Sequence, residues 1–337
     1  MSRIYAFLVF EHEASAHAGE DPEYLACAGD VALVPLDALP TRGGRVGDDV
    51  EISVITSLLD LLPSPSRPAR RPLLAVGGVD YDAASDSRPA SRPGAVVPRD
   101  ARVGSLAPLP GAAAEVAAVV SVIGDPDGAL LLTGADATKA RFLAEAPTAR
   151  VLHVATHGLF APDSVALVGR TPGLGGDPTE FSGARDLVVG FAPFLLAGLA
   201  FAGANRADAA QGRDDGLLTA AELAAVDLSA CELATLSACE SAAGRRRRSG
   251  DLTSLRQALH AAGVRHALTS LWKVPDAATR DLMVEFHRRR TRLGEEPHRA
   301  LREAKRLLRE ARDPATGAPL RSFRDWAGWV LTGAPAP

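Results

Sequence analysis

The sequence predicts an α/β protein built on a mostly parallel sheet that is flanked by helices on both faces. From Leu73 onward, short apolar runs that suit buried strands alternate with segments of helical periodicity. The 337 residues are 47% hydrophobic and 23% charged, which is typical of a globular chain with a sizeable core. Strands that alternate with helices pair in parallel and are covered on both faces, so this pattern predicts the α/β class.

The first 65 residues predict a β-rich region, because short β-like runs are separated there by turns. A linker follows by composition, and two later segments rich in Gly, Pro or Ser are expected to be exposed loops. The β-like runs are Ile4–Phe10, Val31–Pro35 and Val50–Ser57, the linker is Pro63–Pro72, and the loops are Asp82–Gly104 and Ala161–Asp186.

Between the loops we expect six strands and five longer helices. Phe194–Phe201 fits a strand or a short helix, Thr219 and Glu222 have the spacing of a capping box, and Asp276 is the expected N-cap of the helix that follows it. The strands are Leu73–Val76, Ala129–Leu132, Arg150–Ala155, Leu233–Ser237, His266–Leu271 and Trp326–Leu331. The helices are Ala112–Ile123, which carries Glu115, Ala135–Ala146, Thr253–Ala262, Ala277–Arg290 and Pro297–Ala311.

Composition also excludes several classes of partner. The net charge of −4, the dispersed basic residues and the 5% aromatic content argue against a direct nucleic-acid partner. No apolar run reaches about 18 residues without a charge, so we expect no membrane span, and Met1–Phe10 lacks the cleavage site of a signal peptide.

Three cysteines cannot form a disulfide framework, which favours a reducing, cytoplasmic location. The histidines lack metal-ligand spacing, so we expect no metal and no cofactor.

Two predicted strands end in residues that suggest chemistry. The strand that ends at Ala155 leads into His157 and Gly158, and the strand that begins at Leu233 leads to Cys239. Functional residues gather at the carboxyl ends of parallel strands. A histidine beside a cysteine draws the thiol towards the nucleophilic thiolate. The N–H groups of Gly158 and Cys239 are candidates for an oxyanion hole.

An ordered set of motifs runs along nearly the whole chain. The amino-terminal half contains LVPLDALP (Leu33–Pro40), LLAVGGVDY (Leu73–Tyr81), LPGAAAEV (Leu109–Val116) and LTGADATKARF (Leu132–Phe142). The carboxyl-terminal half contains LHVATHG (Leu152–Gly158), LSACESAAG (Leu236–Gly244), GVRHALTSLWKVPDAATRDLMVEFHRR (Gly263–Arg289) and WAGWVLTG (Trp326–Gly333). Together these motifs resemble the CHAT family of caspase-like cysteine peptidases, the group that also contains separases and caspases.

The resemblance implies a cysteine endopeptidase in which His157 is the base and Cys239 the nucleophile. It also implies a β-rich subdomain over residues 1–65 and a caspase-like core over residues 72–337. Peptidases of this group cleave specific proteins under the control of a partner or of processing, so a protein substrate and a regulatory protein partner are expected. The alternative is a catalytically quiet scaffold or signalling interaction domain of the same fold. Ser241 stands where the family usually has threonine, and basic Arg245–Arg248 replaces an acidic stretch.

Four residues are candidates for substrate binding. Ser237 is expected to line the P1 pocket and Glu240 to neighbour the cleft. By comparison with separases, Asp276 begins the segment that reads P1, and Arg280 falls where separases place a carboxylate, so we expect acidic or neutral P1 residues to be preferred. The run Arg245–Arg248 has three interpretations: a solvated loop, a self-cleavage site or a docking patch for an acidic partner.

Other residues of these types are expected in the core. Cys27 and Cys231 are interpreted as buried packing residues, and His153 as a hydrogen-bonded core histidine. Trp272 fits either a pocket wall or the core, while Trp326 and Trp329 are expected to pack on the last strand.

Overall fold

The computed structural model describes the chain in ten stretches. The predicted loop Ala161–Asp186, most of Asp82–Gly104, and the basic run Arg245–Arg248 lie outside them. The described residues are 7–8, 23–26, 34–49, 52–55, 67–84, 105–124, 128–160, 197–206, 216–237 and 250–333.

Nine strands form the main sheet, in the order β1-β2-β3-β12-β11-β10-β6-β4-β5. All neighbours are parallel except β1 with β2 and β11 with β12. The strands are β1 Phe7–Leu8, β2 Glu23–Ala26, β3 Ile52–Ile55, β4 Arg71–Val79, β5 Leu130–Gly134, β6 Ala149–Val154, β10 Leu233–Leu236, β11 His266–Ser270 and β12 Trp329–Thr332. The predicted mostly parallel sheet is therefore confirmed.

Eight α-helices lie within the described residues. The helices are α1 Val46–Asp49, α2 Pro110–Ile123, α3 Lys139–Glu145, α4 Ala220–Ala224, α5 Gly250–Ala261, α6 Asp276–Arg292, α7 Pro297–Glu310 and α8 Phe323–Trp326. One buried cluster joins the sheet to α2, α6 and α7 through residues such as Val116, Leu282 and Leu301. A second cluster joins it to α3, α4 and α5 through Phe142, Leu223 and Leu259, so both faces are covered as predicted. None of these helices is long and apolar enough to cross a membrane.

A second, antiparallel sheet of three strands follows the carboxyl end of β6. Its strands, in the order β7-β8-β9, are β7 Gly158–Phe160, β8 Ala197–Ala200 and β9 Leu217–Thr219. The ambiguous segment Phe194–Phe201 thus contains a strand. Thr219 closes β9 and opens α4 with the predicted capping box, because its side chain and that of Glu222 satisfy each other's backbone N–H groups.

The close approach of α2 to β4 depends on Gly77. A Cβ atom at Gly77 would lie 2.8 Å from the carbonyl oxygen of Ala112 and 2.8 Å from a methyl group of Val116. Pro110 occupies the first turn of the helix, where its missing N–H costs nothing, and Gly124 ends the helix with a φ of 75°. The glycine therefore sets how closely α2, with Glu115, lies against the sheet.

Several predicted boundaries are wrong at one end. The helix predicted from Ala135 begins at Lys139 with Thr138 as its N-cap, and the helix predicted from Thr253 begins at Gly250. Pro275, not Asp276, is the N-cap of α6, and Asp276 is its first residue. Trp326 ends α8, which Ser322 and Asp325 open as a capping box, so the last strand begins later than predicted. The final two residues of the predicted linker Pro63–Pro72 begin β4.

The described part of the first 65 residues is attached to the main sheet. Val54 of β3 pairs with Thr332 of β12, which places β1, β2 and β3 at one end of the nine strands. The Nζ of Lys305, a side chain only 5% exposed, lies 2.5 Å from an Oδ of Asp37, so an ion pair ties this region to α7. The predicted boundary between a subdomain and a core stays a prediction.

Candidate active site

The candidate base lies just beyond β6, at the edge where the parallel strands end. Val154 of β6 pairs with Leu236 of β10, so both strands end at the same level. The backbone N–H of Ser237 donates to the carbonyl oxygen of Val154 over 2.8 Å. His157 follows Val154 by three residues, and Ser237 immediately follows β10. The two strand ends singled out in the sequence are therefore neighbours.

The imidazole of His157 is held in one tautomer. Its Nε2 lies 2.7 Å from the carbonyl oxygen of Ala107, and since a carbonyl only accepts, Nε2 carries the proton. The Tyr81 ring packs beside it at 5.0 Å between centroids, and His157 is only 2% exposed. Nδ1 has no hydrogen-bond partner among the described residues. It is therefore the nitrogen that is left to act as a base.

The surroundings of His157 favour its neutral form. Burial lowers the pKa of the imidazole below its usual 6.5 because the charged form loses hydration. The positive charge of Lys273 lowers this pKa further, and the hydrogen bond to Ala107 opposes both effects. A neutral imidazole at neutral pH has the free lone pair that proton abstraction requires.

The backbone around His157 is fixed by Ala200 of β8. The Thr156 hydroxyl donates to the Ala200 carbonyl over 2.6 Å, and the Ala200 N–H donates to the His157 carbonyl over 3.0 Å. Since the single Thr156 proton is used, the Tyr81 hydroxyl 2.9 Å away is the donor in their contact. Burial raises the pKa of Tyr81, which keeps this hydroxyl protonated. The segment that carries the candidate base is thus hydrogen-bonded to Ala200 at two consecutive residues, Thr156 and His157.

The position of Gly158 suits the predicted oxyanion hole. Gly158 pairs with Leu199 across β7 and β8, next to the bond from Ala200 to His157. In an antiparallel ladder this makes Gly158 and Leu199 a non-hydrogen-bonded pair, which directs the Gly158 N–H away from β8. The donor is therefore available to a group outside the sheet.

The pentapeptide Leu-Ser-Ala-Cys-Glu occurs twice, at residues 228–232 and 236–240. The first copy precedes β10 and contains Cys231, whose buried thiol donates to the carbonyl oxygen of Leu233 over 3.3 Å. Burial raises the pKa of this thiol to about 12, which makes it inert at neutral pH, and the prediction of a core cysteine is confirmed. The second copy follows β10. Its Cys239 and Glu240 lie outside the described residues, as does Cys27.

A buried carboxylate lies beneath the strand ends. The Ser237 hydroxyl donates to Oε2 of Glu115 over 3.0 Å, and Oε1 of Glu115 lies 2.9 Å from Nε2 of His153. His153 is fully buried, so its prediction as a hydrogen-bonded core histidine is confirmed. The role of Glu115 is missed by the sequence argument, although it is the only charged residue of α2.

The other candidate substrate-binding residues are exposed at the start of α6. Asp276 lies against α2, where its carboxylate would contact any Cβ added at Gly111. Arg280 is one turn further along, 46% exposed in its side chain, with Nε 4.0 Å from an Oδ of Asp281. Their contact with substrate stays a prediction.

Trp272, expected either in a pocket wall or in the core, is only partly buried. Its Nε1 donates to the Arg324 carbonyl over 2.8 Å, and its ring stacks on the exposed Phe323 while packing against the buried cluster. Trp326 and Trp329 are buried, as expected. Within the described part of the chain, no three His, Cys, Asp or Glu side chains are grouped so as to hold a metal ion.

A comparison with family models decides the family. The model of the CHAT domain matches residues 24–334, nearly the whole chain. The chain belongs to the CHAT family. CHAT domains are a family of caspase-like peptidases, and the mostly parallel sheet with helices on both faces agrees with that fold. Comparison of this CHAT domain with curated protein sequences gave no match.

Proposed function

We propose that this CHAT domain is a cysteine endopeptidase that cleaves a specific protein substrate through His157 and Cys239. The observation that supports the proposal is the neutral tautomer of His157, whose buried Nδ1 has no hydrogen-bond partner among the described residues, just beyond the strand that pairs with β10. Cys239 follows the last described residue of that segment, Ser237, by two positions. Membership of the family supplies the expectation that this cysteine is the nucleophile.

In the proposed mechanism, Nδ1 of His157 takes the thiol proton of Cys239 as the sulfur attacks the substrate carbonyl. The oxyanion that forms is stabilised by the N–H groups of Gly158 and Cys239. The carbon–nitrogen bond then breaks, and the protonated His157 gives its proton to the leaving amine. His157 next takes a proton from water, and the resulting hydroxide attacks the thioester carbonyl. The carbon–sulfur bond breaks, the carboxyl product is released, and His157 returns its proton to the sulfur of Cys239.

The proposed site acts in a reducing compartment, the cytoplasm, under control of a protein partner or of processing. Ser237, Glu240, Asp276 and Arg280 are proposed to contact the substrate around P1. A peptide library with every residue at P1 tests this part: efficient cleavage after Arg or Lys contradicts the proposed preference for acidic or neutral residues. Replacement of Arg245–Arg248 by alanine separates self-cleavage from docking. If the run is a self-cleavage site, the variant no longer gives the self-cleavage fragments on a gel. If the run is a docking patch, self-cleavage is unchanged and only substrate binding is weaker.

The decisive experiment compares the wild type with Cys239→Ala and His157→Ala on candidate substrate proteins. Proteins encoded next to this chain are the first candidates, and products are identified by mass spectrometry of new termini. We expect new termini with the wild type and none with either variant. Identical fragments from all three proteins, or no cleavage by the wild type with any candidate partner present, contradict the peptidase proposal and favour the scaffold alternative.

A further inference from the structure

Glu115 is at the centre of a buried hydrogen-bonded chain that reaches the candidate active site. Ser237 donates to one carboxylate oxygen, and His153 contacts the other. Glu115 is 4% exposed, Ser237 9% and His153 0%. The ring of His287 on α6 packs edge-on against His153 at 5.4 Å between centroids, which extends the buried chain away from the edge. The carboxylate is therefore enclosed between α2, α6 and the sheet.

A carboxylate in such a place is costly unless it is fully hydrogen-bonded, because burial removes its hydration. Both oxygens of Glu115 have a partner, and the partners come from different strands, β6 and the end of β10. The rest of the apolar face of α2 packs through Ala112, Val116 and Val119. Packing alone would be served by an apolar side chain at position 115, so the retained carboxylate points to a role for its two contacts.

Ser237 transmits these contacts to the active-site edge. Its backbone N–H is bound to the carbonyl of Val154, and its hydroxyl is bound to Glu115. The residue is thus fixed by both its main chain and its side chain. Val154 lies three residues before His157, and Ser237 lies two residues before Cys239. Ser237 is therefore the point at which the two segments that carry the proposed dyad are brought into register.

We propose that Glu115 is a positioning residue, whose carboxylate holds Ser237 and so sets the direction in which the chain leaves β10 towards Cys239. This inference rests on the proposed function of Cys239 and adds a residue to it. Loss of the carboxylate displaces the nucleophile relative to His157 without removing either group. A displacement of about 1 Å at a reacting centre lowers the rate on the order of 10²-fold.

Three variants test the hydrogen bond between Glu115 and Ser237 from both partners. Glu115→Ala removes the acceptor, and Ser237→Ala removes the donor. Glu115→Gln keeps the shape and an oxygen that accepts from Ser237, while its amide donates to the other tautomer of His153. We expect a large fall in kcat for both alanine variants and substantial rescue by glutamine. KM is expected to stay unchanged in Glu115→Ala, whereas KM in Ser237→Ala also reports the proposed contact of Ser237 with the substrate. The double alanine variant is expected to be no slower than either single one, because all act through one contact.

Thr332→Val is the matched control. Thr332 is fully buried, its hydroxyl is hydrogen-bonded to His260 and to the Ala267 carbonyl, and valine has nearly the same shape. Its partner in β11 is Ala267, near the amino end of that strand, so it lies at the opposite edge of the sheet from the candidate site. This variant removes buried hydrogen bonds without touching the proposed chain. It therefore reports what a purely structural loss does to the rate.

Alkylation of Cys239 by iodoacetamide gives a readout that needs no substrate. Cleavage after Glu232 and Glu240 releases a peptide, residues 233–240, in which Cys239 is the only cysteine, so its labelling rate is read by mass spectrometry. We expect Glu115→Ala and Ser237→Ala to change this rate alike, and Glu115→Gln and Thr332→Val to leave it close to that of the wild type.

The two proposals fail in different ways. If the chain cleaves its substrate and Glu115→Ala keeps the wild-type kcat, the positioning role is overturned and the peptidase stands. A Cys239 labelling rate that changes in Ser237→Ala but not in Glu115→Ala also overturns it. If no substrate is cut yet Cys239 labelling depends on Glu115 as expected, the positioning role stands and the peptidase proposal fails. Should Glu115→Ala not fold, Ser237→Ala and Glu115→Gln decide, because wild-type labelling in Ser237→Ala overturns the role.

Discussion

The Nε2–H of His157 donates to the carbonyl oxygen of Ala107 over 2.7 Å. This bond fixes the tautomer that leaves Nδ1 as the basic nitrogen, and it orients the ring from a loop that precedes α2. In the proposed active site, a main-chain oxygen therefore takes the part that a carboxylate plays in three-residue catalytic sites.

The first prediction concerns the reactivity of the two cysteines in repeated pentapeptides. In the wild type, Cys239 is expected to react with iodoacetamide at neutral pH much faster than Cys231, whose thiol is buried and has its pKa raised to about 12. His157→Ala is expected to slow Cys239 and leave Cys231 unchanged, because the base that favours the thiolate is gone. Labelling is measured on peptides cleaved after glutamate. Equal rates for the two cysteines in the folded wild type would argue against activation.

The second prediction concerns the charge on His157. Because burial and Lys273 lower its pKa, the ring is expected to titrate below 6.5 in Cys239→Ala, as followed by NMR. Lys273→Met removes the positive charge and is expected to raise that pKa, and added salt should reduce the difference. Arg299→Met removes an exposed positive charge from α7 and serves as the control. A His157 titration above 6.5 would contradict the neutral base.

The third prediction concerns acid stability through His298. Burial lowers the pKa of His298 to about 3, whereas the unfolded chain titrates near 6.5. Between these values the unfolded state binds one more proton, so stability falls as pH falls from 6.5 towards 3, by about 1.4 kcal/mol per pH unit. His298→Leu is expected to reduce this slope. Urea unfolding at pH 7, 6 and 5 measures it, and equal slopes in both proteins would show that His298 is not responsible.

The fourth prediction concerns the packing of α2 on β4. Gly77→Ala is expected to destabilise the fold by about 1 to 3 kcal/mol, because the added methyl group overlaps Ala112 and Val116. It should also disturb Cys239 labelling, since α2 carries Glu115. Gly43→Ala is the control, because a Cβ there meets no atom within 4 Å. Thermal unfolding compares the two, and an unchanged midpoint for Gly77→Ala would show that α2 moves freely.

Much of the fold follows from local sequence. The continuous apolar runs of β4, β6, β10 and β11 predict buried parallel strands, and Thr219 with Glu222 predicts the start of α4. The three-residue strands β7 and β9 are missed, because they are too short for a periodic pattern and exist through tertiary pairing. The predicted start of β12 at Trp326 is too early, because Trp326–Leu331 is a continuous apolar run and the single turn of α8 that ends at Trp326 is too short to show helical periodicity.

For the candidate site, the sequence predicts side chains but not the hydrogen bonds that orient them. The sequence singles out His157 because it follows a strand and lies in a motif, and it correctly predicts His153 as a core residue. The hydrogen bond from His157 to Ala107 is invisible in the sequence, since every residue carries the same carbonyl group. Glu115 had a signal, a single charge in an apolar helix, but its partners on β6 and beyond β10 are joined only by the folded sheet.

The two residues that hold the segment of His157 by their main chains, Ala107 and Ala200, are already alanine. Systematic replacement by alanine, the usual survey of an active site, therefore leaves both unexamined. Such a survey would detect neither of the main-chain hydrogen bonds that hold His157 and its segment. Their contribution becomes measurable only when the backbone itself is changed. An ester in place of the amide at position 200 deletes the N–H donor, and proline at position 108 already restricts the peptide that presents the Ala107 oxygen. Mutational tolerance at this edge will consequently depend on backbone shape rather than on residue type.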